Sequence, residues 1–348
     1  MLYFLKIIML SPESPFTTIK LSPPEPLCEL ERRLDLYGQY TTIKRALTQT
    51  GLLSLLPFTP LDISKGIEPL GIVGIKVEYP FPPYRVLQHA VKEQHALYEK
   101  KAEQGFTALD VSLTAMAIPE LQRRSSELLR RHHAQKPYSH LHPGGTPQLL
   151  GTKQPRDPTH LIPLDLNDQR PIYIHDDILT GKTSGQLLYY PDSCTTPYGG
   201  YTKPQLITHT ENTFSPGYEF FFTSPYTFLP LQGKGQSIGG RKQLENNNSP
   251  YNYLHTLQQD KEYAHEVGLT MEHFLTTFST HLFLTNEVSY DYYDDNVAWL
   301  IGNMVSVYVP YGLWGRLNRG LRVSGDDPGN RYGYCGCPSA VRVGKFEI

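Results

Sequence analysis

The stretch "YVPYGLWGRLNRGLRVSGDDPGNRYGYCGCPSAVRV", residues 308–343, decides how the rest of this chain is read. "RGLRV" and "SAVRV" are short alternating segments, the pattern of strands with one buried face. Between them the Asp, Pro, Gly and Asn of 326–330 supply turn chemistry. What remains is expected to project outward: Trp314, Arg316, Asn318, Arg319, Asp326, Asp327, Asn330, Arg331, Tyr332 and Tyr334. Aromatics and Arg mixed with Asn, Ser and Gly are the residues from which binding surfaces are usually built. These ten positions are the candidate ligand-binding set.

The order "WGRLNRG", then "LRVSGDDPGNR", then "CGCPSAVRV" resembles the end of C-type-lectin-fold domains of the formylglycine-generating-enzyme type. It resembles most the form used as variable proteins of diversity-generating retroelements. The resemblance covers about a tenth of the chain, and the last strand departs from the family's Gly-Phe-Arg by reading Gly336-Cys337-Pro338. It implies a lectin-like scaffold whose exposed loops bind a ligand, often another protein. Asn330, Tyr332, Tyr334, Cys335 and Cys337 would then be diversified positions rather than metal ligands.

Upstream, residues 251–285 are expected to form one long helix, with "NVAWLIGNMVSVYVPY" following as a second apolar segment. On a helical wheel Val267, Met271, Phe274, Leu275, Phe278 and Leu282 share one side; Glu262, His265, Glu266, Glu272 and His273 share the other. Glu262 and His265 have the Glu-x-x-His spacing of di-iron bundles. Ligands of that kind must point into a core, and these are expected to point away from it, on a solvated face. Before this helix, "RPIYIHDDI", "GQLLYYPD", "QLITHTENTF" and "YEFFFTSPYTFLPL" have the texture of strands, and "GIVGIKVEYPF" is a further strand candidate. Helices are expected over 30–56, 84–104 and 119–135, the last with the basic run Arg123, Arg124, Arg130, Arg131, His132 and His133 interleaved with Glu120 and Glu127 as a solvated face. The expected fold is α+β: a mainly helical region over 1–135, a Pro/Gly/His-rich connection over 136–170, and an α+β domain over 171–348 that carries the recognition surface.

Other motifs fail on spacing. "LTGKTSG" lacks the first glycine of a phosphate loop, where Asp176 stands, and "QGKGQSIGG" has Ile238 where a dinucleotide fingerprint needs its third glycine, so it reads as a hairpin turn. His140, His142, His175 and Asp176 lack a third metal ligand at a persuasive spacing. With 32 Lys and Arg against 34 Asp and Glu, the net charge of −2 offers no field for nucleic acid. Four cysteines, Cys28, Cys194, Cys335 and Cys337, are too scattered for a disulfide scaffold. "MLYFLKIIML" is too short to span a bilayer and lacks signal-peptide features, so the start is Met1 or Met9 and the chain is expected to be soluble, cytoplasmic or virion-associated. The 24 Tyr, 29 Pro and 28 Gly lean toward recognition by ordered loops. The expected function is ligand or receptor binding, of a protein or glycan, with no cofactor and no catalytic residue assigned. Homo-oligomers or a larger assembly are open. A structural part of a virion or injection machine is the alternative, and a metal-dependent enzyme of the non-haem iron type is the third reading.

Overall fold

The computed structural model describes residues 29–55, 70–73, 78–135, 140–141, 147–148, 171–176, 178, 187–211, 213, 215–225, 229–286, 288–290, 296–315 and 320–344. The fold is α+β. Its helices are α1 (Glu29–Leu34), α2 (Leu36–Thr50), α3 (Tyr84–Glu93), α4 (His95–Glu103), α5 (Ile118–Gln135), α6 (Lys203–Glu211), α7 (Pro250–Gln259) and α8 (Met271–Thr285). The strands of the two larger sheets are β1 (Ala108–Ser112), β2 (Ile172–Ile174), β3 (Glu219–Thr223), β4 (Glu266–Gly268), β5 (Val297–Trp299), β6 (Val309–Gly315), β7 (Gly320–Asp326), β8 (Cys335–Gly336) and β9 (Ser339–Arg342).

One sheet is antiparallel, in the order β4-β9-β3-β1, so "SAVRV" lies between two strands drawn from earlier in the chain. The other runs β8-β5-β6-β7-β2, with the β6–β7 hairpin at its centre and parallel strands β8 and β2 at its two edges. "RGLRV" and "SAVRV" are therefore both strands, but in different sheets. Helix α8 connects the two layers, packing on α5, α2, β1 and β6. Its buried residues, from Met271 through Leu282, occupy every side of it, as expected for a helix inside a core rather than on a surface. One cluster of buried residues runs from Leu30 in α1 to Val343 after β9.

The single helix expected over 251–285 is two helices separated by a 3-10 turn (Lys261–Tyr263) and by β4. Local chemistry makes the break. Ser249 caps α7, accepting from the Asn252 amide at 3.3 Å with Pro250 in the first turn; Thr270 caps α8, accepting from the His273 amide at 3.2 Å. His265 between them has φ 68, which no helix accommodates. Glu262 and His265 consequently share no helix face. The solvated face expected for Glu266, Glu272 and His273 is also corrected, because all three are buried.

"QLITHT" lies in helix α6 and not in a strand. Thr202 and Gln205 form a reciprocal cap: the Thr202 amide donates to Gln205 Oε1 at 2.8 Å, and the Gln205 amide donates to Thr202 Oγ1 at 3.4 Å. The helix expected over 30–56 breaks at Asp35, φ 46, and the one over 84–104 breaks at Gln94. Among the described residues no helix is long and apolar enough to cross a membrane. The opening residues 1–28 and most of the 136–170 connection lie outside the described residues.

Candidate functional site

Strand alternation gives the β6–β7 hairpin two unlike faces. Register pairs Trp314 with Leu321 and Gly312 with Val323, and the neighbouring β2 sets Ile172 and Ile174 in the same layer. All of these are buried against the helices. Trp314 stacks on Phe278 of α8, ring centroids 5.8 Å apart, and a Cβ on Gly312 would stand 2.4 Å from the Phe274 ring. Trp314 is thus 0 % exposed, and its expected outward orientation is corrected. The large and small residues of "GLWG" face the core together because α8 crosses the sheet there.

The opposite face carries Tyr311 paired with Ser324, Leu313 paired with Arg322, and Arg322 paired with Tyr173. Toward β5 and β8 this face is covered by a second small core, in which Val297, Trp299, Val309 and Cys335 meet Tyr253 and Leu257 of α7. Toward β7 and β2 it stays partly open: Tyr173, Arg322, Ser324 and Asp326 are half-buried. The Arg322 guanidinium lies 6.0 Å from the centroid of Tyr173 and, among the described residues, has no ion pair or hydrogen bond. A half-desolvated guanidinium beside aromatic rings is suited to a planar carboxylate brought by another molecule.

The loop after β7 borders this face. The Asp326 carboxylate accepts from the Tyr332 hydroxyl at 2.6 Å, from Asn330 Nδ2 at 2.9 Å and from the Asp327 amide at 2.8 Å. Partial burial raises its pKa, but the three donors outweigh that and hold it below the ordinary carboxylate value. The same bond to Asp326 is the main reason the Tyr332 hydroxyl is pushed up to about 12. Asp327 accepts from the Gly329 amide at 2.7 Å and its carbonyl from the Asn330 amide at 3.0 Å, which closes the expected turn. Tyr332 stacks on Tyr334 at 5.4 Å and lies 6.2 Å from Trp299, which in turn meets Tyr311 edge-on.

Of the ten candidate residues, Asp326, Asn330, Tyr332 and Tyr334 come together in this loop, with Asp327 and Arg331 exposed beside them. Arg316, Asn318 and Arg319 lie outside the described residues. Cys335 and Cys337 do not belong to the surface: both are buried, and burial pushes both thiols up. The structure adds Tyr311, Arg322 and Ser324, which alternate in sequence with Gly312, Leu321 and Val323, and Tyr173, which only the β2–β7 contact brings to this face. It also adds three exposed residues next to the loop. Tyr251 donates its amide to the Pro328 carbonyl at 3.0 Å, and Val307 and Tyr308 precede the strand residue paired with Asp326.

Of the residues considered for metal chemistry, the buried Glu266, Glu272 and His273 are engaged by the chain's own groups. Glu266 is held by Lys101 at 2.8 Å and by Arg241 at 2.7 Å; Glu272 by Lys203 at 2.5 Å and Tyr189 at 2.6 Å; His273 lies 3.2 Å from Asp110. Among the described residues no three His, Cys, Asp or Glu side chains gather as a metal site. The glycine-rich "QGKGQSIGG" is a hairpin region, as expected. Gly239 and Gly240, φ 55 and 78, make the two-residue turn, while the Gly233 and Gly235 amides donate at 2.8 and 2.9 Å to the chain's own Glu245 instead of to a phosphate. No family model matches the chain, and neither does any curated protein or solved structure.

Proposed function

We propose that this protein is a binding module whose open half-face on β7 and β2, with the 326–334 loop, captures a partner protein through an exposed carboxylate set in apolar surroundings. The observation that carries the reading is Arg322: a half-buried cation beside Tyr173 with no anion of its own among the described residues. Leaving such a group without a partner costs free energy that an incoming carboxylate would recover. Tyr311 on the same strand face and Tyr332 and Tyr334 in the bordering loop supply rigid aromatic area, and the Asp326 bonds fix the loop before any partner arrives, so little order remains to be lost on binding. The resemblance of residues 314–343 to the C-type-lectin-fold variable proteins supports the same face, since recognition there also falls to the end of the chain.

The test is selection from a displayed random-peptide library on the immobilised protein, with Arg322→Glu as the counter-target. The reading expects enriched peptides that carry Asp or Glu beside an apolar residue and lose at least tenfold in affinity on Arg322→Glu, whose melting temperature stays near that of the parent. Peptides that bind both proteins equally, or no enrichment at all, would contradict it.

A further inference from the structure

A cavity of about 100 Å³ lies away from that face, between the antiparallel sheet, at β1, β3 and β9, and the Ser237–Lys242 hairpin. Its walls include Gln104, Phe106, Asp110, Arg241, Tyr290 and Ser339. The position of Gln104 follows from chain geometry. It caps α4, its amide donating to Lys100 at 3.1 Å, and the Gly239–Gly240 turn presses so closely on that helix end that a Cβ at Gly239 would stand 2.6 Å from the Glu103 carbonyl.

Three polar groups at this cavity lack partners among the described residues. Gln104 is 5 % exposed, and its Oε1 is buried without a hydrogen bond. Arg241 spends Nε and Nη2 on Glu266 and Ser339, leaving Nη1 unbonded, and its guanidinium is fixed between the rings of Phe106 at 4.9 Å and Tyr263 at 5.0 Å. The Tyr290 hydroxyl also has no bond. Nearly all buried polar groups in folded proteins are satisfied, so the buried open acceptor of Gln104, at a cavity that a guanidinium edge with an open donor also lines, points to an occupant.

We propose that this cavity binds a small neutral molecule carrying a donor next to an acceptor, of which a primary amide is the simplest. Its carbonyl would accept from Arg241 Nη1 and its NH₂ would donate to Gln104 Oε1. An anion is disfavoured by Gln104 Oε1 and by Asp110, whose Oδ2 already accepts from Thr277 at 2.5 Å and lies 3.2 Å from His273. A cation is disfavoured by Arg241. The volume equals roughly three waters at about 30 Å³ each, which suits a molecule of four or five heavy atoms.

The experiment is an NMR titration of the full chain with acetamide, acetate and methylammonium, following the Gln104 side-chain amide and the Arg241 Nε–H. Acetamide is expected to give a saturable shift at both groups, with acetate and methylammonium at least tenfold weaker. Gln104→Leu, which removes the open acceptor while keeping the shape, is expected to fold, to melt no lower than the parent, and to lose the acetamide response. An absent or unsaturable acetamide shift, tighter binding of acetate, or an unchanged response in Gln104→Leu would overturn the proposal; so would a lower melting temperature for that variant, since Gln104 would then be serving the fold.

Discussion

The two larger sheets of this molecule treat charge in opposite ways. In the antiparallel sheet two buried glutamates are sealed in with their own cations: Glu266 with Lys101 and Arg241, and Glu219 with Arg342 at 2.9 Å, with Thr114 and Tyr190 adding hydrogen bonds. On the outer half-face of the other sheet, Arg322 has no such partner among the described residues. Burial alone therefore does not separate structure from function here. The distinction is the counter-ion: a charge paired within its own chain holds the fold, and a cation without an anion at a half-exposed face is available to something else.

The largest effect expected from breaking that contrast is at Glu266. Glu266→Ala leaves Lys101 and Arg241 buried without their anion, a loss of about 3–5 kcal/mol on the scale of broken buried pairs, measurable by denaturant unfolding. Trp314→Ala should be comparable, about 3–5 kcal/mol, because a large ring is removed from between the sheet and α8. Thr202→Ala removes one half of the α6 cap and should cost about 1 kcal/mol. Arg322→Ser should lie within about 0.5 kcal/mol of the parent, as substitutions outside such networks do.

The pH response sharpens the comparison at its small end. The Asp326 carboxyl is held below its ordinary value in the folded protein, so its contribution to stability is complete above the unfolded pKa of about 3.9 and disappears as pH falls through the folded value. Amide exchange at Asp327 and Asn330 should accelerate over that acid range, relative to Phe221 in β3, and Asp326→Asn should abolish the pH dependence of the difference. Equal acceleration at all three sites in the parent would show that the loop has no clasp of its own.

Local pattern made part of this legible. Residues 321–324 alternate as expected, whereas 340–343 are all buried because β9 lies inside its sheet, and the Asp-Pro-Gly-Asn turn is where its residues place it. Trp314 was misplaced because its chemistry suggests a contact surface, whereas its parity with Leu321 and Val323 assigns it inward. The apolar residues on both sides of β4 hid the break between α7 and α8, although Ser249-Pro250 and Thr270 signal two helix starts. Ile and Thr in "QLITHT" mimic a strand, and the Thr202/Gln205 pair three residues apart was the overlooked counter-signal. The buried carboxylates could not be read locally at all, since Lys101 and Glu266 are 165 residues apart in sequence and meet only through the fold. The same holds for the pairing of Tyr173 with Arg322, which requires the parallel contact of β2 with β7.

The most direct measurement is thermal unfolding of the double variant Tyr173→Ser/Arg322→Ser beside Trp314→Ala. A half-face that serves contact and not packing predicts a double variant melting within a few degrees of the parent while Trp314→Ala falls much further. A double variant that melts as low as Trp314→Ala would place Tyr173 and Arg322 in the core and contradict the account.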